Sequence, residues 1–166
     1  MSIRYAIVDS VLGRLLVGAT DRGVCAVAMA VSDHELRRAL TREYPGAAIV
    51  EDEGALARWT KQILRHLAGR QPRLDVPLDV QATAFQWQVW QALCAIPYGQ
   101  TRTYSDVASS IGHPRAARAV ARACATNPVA IAIPCHRVVR KDGGLGGYRW
   151  GVQRKKALLA REQRTG

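Results

Sequence analysis

Residues 103–126 read TYSDVASSIGHPRAARAVARACAT, wording that makes two helices with a tight turn between them. Thr103 followed three residues on by Asp106 is a capping box: the first side chain accepts from a backbone N–H of the opening turn, and the second reaches back. The first helix should end near Ile111 and Gly112. Gly112-His113-Pro114 supplies the turn, and Pro114, with its fixed φ, is placed to open a second helix running to Thr126. Arg115, Arg118 and Arg122 then share one face, separated by Ala116, Ala117, Ala119, Ala121 and Ala123. Such a face is basic and smooth, because methyl side chains let a helix backbone come closer to a groove than Leu or Lys would. Its arginines can pair with phosphate or enter a base stack where a nucleotide has left a gap. The competing reading is an alanine-rich helix packed inside, with arginines reaching outward to solvent.

The charge supports a polyanionic partner by where it lies. Of a net charge of +11, residues 85–166 hold a surplus of 10, with 13 Lys/Arg against 3 Asp/Glu, whereas residues 1–84 hold 11 against 10. A merely solvated basic surface would spread the excess more evenly. No apolar run approaches the roughly 20 residues of a membrane span, and no secretory leader is visible, so we expect a cytoplasmic protein without a membrane partner.

The first eighty residues have a different character. Ile3–Asp9, Leu15–Ala19 and Val24–Ala30 are short apolar runs separated by turn residues and predict three antiparallel strands. Ser32–Tyr44 and Gly54–Leu67 carry apolar residues at helical spacing. Residues 70–82, rich in Pro, Asp and Arg, read as a strand-like connector, placing a boundary near 80 between an α+β supporting domain (1–80) and a second domain (81–166). Thr83 and Gln86 repeat the capping box at a helix through Trp87, Trp90 and Leu93, where both tryptophans are expected in the core.

Ala130–Ile133 leads the chain into Pro134-Cys135-His136-Arg137, after which Val138-Val139 resumes a strand-like stretch. The four cysteines show no C-x-x-C spacing, so free thiols are expected, three of them inert among apolar neighbours. Cys135 alone asks for a chemical explanation. A thiolate is the nucleophile, so the site should lower the thiol's pKa, and His136 and Arg137 could supply base and positive charge. Neighbours on a strand point apart, so a water could bridge Cys135 and His136. Asp106, Asp142 and Glu162, the only acids after residue 84, are the three groups able to orient the imidazole.

The longer pattern, Asn127-Pro128, Pro134-Cys135-His136-Arg137-Val138-Val139, Gly146-Gly147-Tyr148 and Lys155 through Leu158-Leu159 to Glu162, closely resembles the O6-alkylguanine-DNA alkyltransferases (methylated-DNA–protein-cysteine methyltransferases). The resemblance runs from about Thr83 to Glu162, is looser before that, and at Tyr148-Arg149-Trp150-Gly151 is nearest the C-terminal half of the Ada branch. It implies a ribonuclease H-like first domain and a mostly helical, winged helix-turn-helix-like second one. It implies Cys135 as alkyl acceptor, His136 as its base through a water, Glu162 holding the histidine's tautomer, and Asn127 as the hinge between that turn and the recognition helix. Tyr104 would crowd the rotating phosphate and protonate the leaving guanine, and Arg118 would fill the vacated stack. Lys155 would assist electrostatically. Pro134, Val138, Val139, Leu145, Gly146, Gly147, Tyr148, Arg149 and Trp150 would wall the pocket, and Ala116, Ala117, Ala121, Arg115 and Arg122 would meet the DNA.

The partner so implied is double-stranded DNA bearing O6-alkylguanine, with O4-alkylthymine a second target of the same chemistry, bound by a monomer whose cooperativity on DNA is left open. Reaction would be stoichiometric, with no dissociable cofactor. Relatives that hold zinc use Cys and His in the first half; Cys25, His34 and His66 are all this chain offers there, so no metal is expected. The Ada branch's separate zinc-bound cysteine domain has no counterpart here, which speaks against its regulatory function for these residues. Arg149 and Trp150 replace smaller residues of other relatives, which predicts a pocket favouring methyl over bulky adducts. A sensor that flips without transfer is opposed by the presence of Cys135. A major-groove regulator would want side chains aimed at base edges rather than alanines, and a thiol hydrolase should turn over acyl substrates without regard to DNA.

Overall fold

A computed structural model describes residues 1–165, and the chain divides into two compact units: residues 1–80 with 128–132, and residues 81–127 with those from 133 onward. The first unit is built on a sheet whose strands β1 (Ser2–Ser10), β2 (Gly13–Ala19) and β3 (Val24–Ala30) form an antiparallel meander. Leu15, Leu16 and Val17 are each at most 1% exposed, so β2 is covered on both faces and reads as an apolar run, without alternation. Helix α1 (Asp33–Glu43), capped by Ser32, lays Leu36 and Leu40 against Ile3, Tyr5, Leu16 and Cys25.

The sheet is mixed, with a fourth strand that the sequence pattern did not suggest. β4 (Ala48–Glu51) runs parallel to β1, with Ser2 opposite Ala48 and Tyr5 opposite Glu51, giving the order β3-β2-β1-β4. It is four residues long, mostly exposed, and follows directly on the helix stop at Pro45-Gly46, so it carries no hydrophobic period to recognise. Helix α2 (Glu53–Leu67), capped by Asp52, packs on β1 and β2 through Leu56, Ile63 and Leu67.

Two distant segments extend the outer edge of β3. Within the 70–82 connector, Val24 N donates to Pro77 O (2.8 Å) and Asp79 N to Val24 O (2.9 Å). Gly23 permits that approach: a Cβ there would lie 2.7 Å from the Pro77 oxygen. Farther along, Val27 N donates to Pro128 O and Ala130 N to Val27 O. Ala132 N then donates to Ala130 O (2.7 Å) across Ile131, whose φ of 72° puts a buried β-branched residue in the left-handed region. That conformation costs about 1–2 kcal/mol and persists only where the surroundings impose it.

The second unit is mostly helical. Helix α3 (Ala84–Cys94) starts at Thr83 with both halves of the capping box formed. Trp90 is buried and donates its Nε1 to Ala123 O (2.9 Å), whereas Trp87, expected in the core, is half-buried and packs edge-on to Trp90 at 5.7 Å. Cys94, also expected among apolar neighbours, is exposed in the last turn of α3, while Cys25 and Cys124 are buried. β5 (Arg102–Thr103) leads into α4 (Tyr104–Ser110), whose start is closed by the reciprocal Thr103 and Asp106 bonds. α5 (Ala117–Ala125) follows, then β6 (Val138–Val139), parallel to β5, and α6 (Val152–Thr165). Among the described residues no helix is long and apolar enough to cross a membrane.

The second helix of the pair begins later than Pro114 suggests. Ala116 N donates to His113 O (2.9 Å), closing a separate turn, and Ala116 serves as the N-cap. Arg115 therefore precedes the helix, and the shared exposed face consists of Arg118 and Arg122, one turn apart. Ala123 is in the core beside Val120 and Cys124, whereas Ala116, Ala117, Ala119 and Ala121 are half-buried. The packed and the smooth readings of this helix each hold for one side of it.

Candidate active site

The approach to the thiol is a pair of tight turns. After the Ile131 turn, Cys135 N donates to Ile133 O (2.8 Å) across Pro134, whose φ of −81° and ψ of 63° make a three-residue turn around a residue that has no N–H to satisfy. Cys135-His136-Arg137 then form one turn of 3-10 helix, ahead of the strand at Val138-Val139. Asn127, fully buried just past the end of α5, donates its Nδ2 to Ile133 O (3.0 Å) and to Cys135 Sγ (3.3 Å). The sulfur thus takes its hydrogen bond from Asn127 and not from the adjacent histidine.

The thiol differs from expectation in its charge state. Cys135 is only 4% exposed, and burial pushes its pKa up to about 11, against the Asn127 bond and the Lys155 charge, which both favour the thiolate. The resting group is the thiol. Arg137, expected to lend it positive charge, is engaged elsewhere: Nε and Nη2 donate to the two oxygens of Glu162 (2.8 and 3.0 Å), and Nη1 to Ile96 O (2.8 Å).

Of the three candidate acids, Glu162 alone reaches the imidazole. Asp106 is occupied at the start of α4, and Asp142 bonds Arg140 and Gly144 N in an exposed turn. His136 Nε2 lies 2.8 Å from Glu162 Oε2, and His136 Nδ1 is buried with no protein partner. Burial depresses the imidazole below its ordinary value, partly opposed by the carboxylate, so it is neutral. Burial would raise Glu162, yet the bonds from His136 and Arg137 outweigh it and hold the carboxyl at about 2. Facing an ionised carboxylate, Nε2 carries the proton, and Nδ1 is the nitrogen free to accept one.

Lys155, Leu158 and Glu162 are spaced along one face of α6 and all are buried. Lys155 donates its Nζ to Val138 O (2.7 Å) and Gly147 O (3.1 Å) and stands 5.8 Å from the Tyr104 ring; burial lowers its pKa. Tyr104 opens α4 with its ring against Gly146, where φ is +75° and a Cβ would lie 2.6 Å from the hydroxyl oxygen. Burial pushes that hydroxyl up to about 12, so it stays protonated.

The remaining wall residues are close by in sequence and unequal in exposure. Pro134 and Val138 are buried, Val139, Leu145 and Gly146 half-buried, and Gly147 exposed. Tyr148 packs edge-on to Trp150 at 5.3 Å, and its hydroxyl is buried without a protein partner. Arg149 donates Nη1 to Asn127 O (2.9 Å), which ties this loop to the carbonyls at the end of α5. Arg115, Arg118 and Arg122 are exposed.

Sequence reasoning missed three of these contacts: the Arg137 clasp on Glu162, the Arg149 bond to the end of α5, and the seat that Gly146 gives Tyr104. The first had a signal. Glu162 is the single acid on a helix that also holds Arg154, Lys155, Lys156, Arg161 and Arg164, and an acid on an inward face needs a cation beside it.

Comparison with known proteins agrees with this geometry. The model of the 6-O-methylguanine DNA methyltransferase DNA binding domain matches residues 84–164, and that of the ribonuclease-like domain of the same family matches residues 3–80. The chain is 49% identical to the regulatory protein ada of Salmonella typhimurium over 98% of its own length, and it spans 46%, about half, of that relative. It is 39% identical to the inducible methylated-DNA–protein-cysteine methyltransferase of Bacillus subtilis, with 97% of this chain and 85% of that protein covered. A crystal structure of Mycobacterium tuberculosis OGT in complex with DNA superposes with a TM-score of 0.85 at 37% identity, covering 98% of this chain and 94% of the other. With a buried Asn-Cys contact, a Glu-backed histidine and agreement along both halves, the chain belongs to the 6-O-methylguanine DNA methyltransferase family.

Proposed function

We propose that the chain reverses DNA alkylation directly, binding the duplex, receiving a guanine turned out of the stack, and taking the alkyl group from O6 irreversibly onto Cys135. The observation that carries this reading is the buried series in which Asn127 bonds the Cys135 sulfur while Glu162 commits His136 Nε2 and leaves Nδ1 as proton acceptor. Residues 81–166 act as the DNA-binding and acceptor domain and residues 1–80 as its support.

The chemistry follows from a thiol that is protonated at rest. As sulfur attacks the alkyl carbon, its proton leaves toward His136 Nδ1, directly or through a water, so the thiolate exists only as the C–O6 bond breaks. The electrons of that bond pass to the guanine ring, and Tyr104 gives the ring a proton, so the departing base is neutral. Imidazolium and phenolate then re-equilibrate with solvent. The thioether has no easy return path, and each molecule reacts once, as a monomer and without a cofactor. O4 of alkylated thymine offers the same leaving-group chemistry.

Turning the base out costs a few kcal/mol, which phosphate contacts from Arg115 and Arg122 and the close approach allowed by Ala116, Ala117 and Ala121 would offset. Arg118 occupies the gap in the stack. Val138, Val139, Leu145–Gly147 and Pro134 line the base pocket, and the packed Tyr148 and Trp150 rings with Arg149 narrow it in favour of methyl over bulky groups. A nucleophilic thiol needs a reducing compartment, in keeping with the cytoplasm.

The test is to weigh the intact protein after incubation with duplex DNA containing O6-methylguanine. One methyl gained, located at Cys135, capped at one per molecule and absent in Cys135→Ala, is the expected outcome. Continued turnover, or methyl found on another residue, would overturn the proposal.

A further inference from the structure

A cavity of about 310 Å³ opens on the first unit, lined by the start of β1, the Thr20–Gly23 turn and the early turns of α2. Arginines from all three segments line it, Arg4, Arg22 and Arg58, against the single lining carboxylate of Asp21. The alkyl-transfer reading uses none of them. Among the described residues neither Arg4 nor Arg58 is in an ion pair, and Arg22, its side chain 81% exposed, reaches only Asp79 at 3.5 Å. Asp79 is itself already engaged by the Thr20 hydroxyl.

The site is nevertheless held in shape. The guanidinium of exposed Arg58 lies 4.0 Å over the ring of half-buried Trp59, and Gly23 meets the Pro77 carbonyl with no room for a side chain. A planar, donor-rich fork without a carboxylate partner suits the oxygens of a phosphate, and the volume is at the small end of ligand clefts, roughly 300–1,000 Å³.

We propose that this cavity is a binding site for a nucleotide phosphate, separate from Cys135, with Arg4, Arg22 and Arg58 as its ligands and Trp59 as its aromatic wall. The phosphate can come from the backbone of a DNA strand or from a free nucleotide, and the two sources are separable by experiment.

The full chain is titrated with deoxyadenosine monophosphate, with deoxyadenosine and with an undamaged duplex while the Trp59 indole N–H is followed by NMR. Arg4→Ala/Arg58→Ala is compared with Arg38→Ala/Arg42→Ala, which removes the same charge from exposed positions on α1. Saturable movement of Trp59 by the nucleotide and not the nucleoside, weakened about tenfold or more in the cavity variant alone, is expected. If the duplex moves Trp59 too, and the cavity variant loses about one to two from the slope of log affinity against log salt, the strand backbone is the source. If the duplex leaves Trp59 unmoved, the source is free nucleotide. No shift of Trp59 with nucleotide or duplex, or equal weakening in the α1 variant, overturns the proposal. Methyl uptake by Cys135, weighed in separate samples of the parent protein with O6-methylguanine duplex, reports on the alkyl-transfer reading alone, and its failure there would leave the cavity result standing.

Discussion

Glu162 is the side chain on which the buried polar groups of the second unit depend, since it holds both the Arg137 fork and the His136 imidazole. Replacing it with Gln leaves Arg137 buried with an uncompensated charge, and removing one partner of such a pair costs about 3–5 kcal/mol. A chain of this size loses about 2–4 °C of Tm per kcal/mol, so Glu162→Gln should melt at least about 6 °C lower and lose most of its methyl uptake; an unchanged melting curve would contradict the clasp. Because the folded carboxyl is depressed to about 2, its contribution is complete above the ordinary value of 4.5 and is lost as pH falls from there through 2. The imidazole is likewise depressed, so it is neutral in the fold and opposes folding only as pH drops below its ordinary value near 6.5. Single-turnover transfer should therefore stay level from about pH 7 to 9 and decline only below about pH 6.5. A rate rising tenfold per unit toward the thiol's value near 11 would mean that ionisation precedes attack, without help from His136.

Helix α5 shows how one element divides its work. Val120, Ala123 and Cys124 pack inward, Trp90 bonds the Ala123 carbonyl, and Arg118 and Arg122 are exposed. Truncating an exposed arginine costs little in folding, so Arg118→Ala should keep its melting temperature within about 2 °C, the scale of a surface substitution. Its repair of O6-methylguanine should slow in duplex and not in single strands, where no stack has to be filled. Equal slowing on both substrates would remove Arg118 from that role. The capping boxes of α3 and α4 were legible in the sequence because they are local, made by side chains three residues apart. The start of α5 was not, because Pro114 is acceptable both in a first helical turn and in the separate turn that His113 and Ala116 close.

Across the whole chain, charge and burial are distributed unequally. The surplus of 10 positive charges after residue 84 predicts that duplex binding weakens steeply with salt, log affinity falling by about 0.9 per phosphate neutralised for each decade of salt. Binding indifferent to salt between 50 and 200 mM, measured by fluorescence anisotropy, would contradict the charge argument. The second half also contains the costly groups, with Lys155, His136, Arg137, Asn127 and Glu162 all inside. Such groups persist in a core only where each is hydrogen-bonded, and those bonds join residues up to 41 positions apart.

By itself the sequence determined the existence of the helix pair, the cap of its first helix, the basic second half, the three-strand meander and the wording around Cys135, because each is written in residues a few positions apart. For the histidine's partner the residues alone left Asp106, Asp142 and Glu162 open and only the resemblance favoured Glu162; the tertiary structure sets Glu162 against the imidazole, and it alone decided that Arg137 serves Glu162 and that the thiol rests protonated. Protonation is set by how much water and which charges surround an atom, and those neighbours come from elements far apart in the chain. The parallel strand β4 and the turned Ile131 belong to the same category, since register against β1 and a positive φ are imposed by packing and leave no local trace.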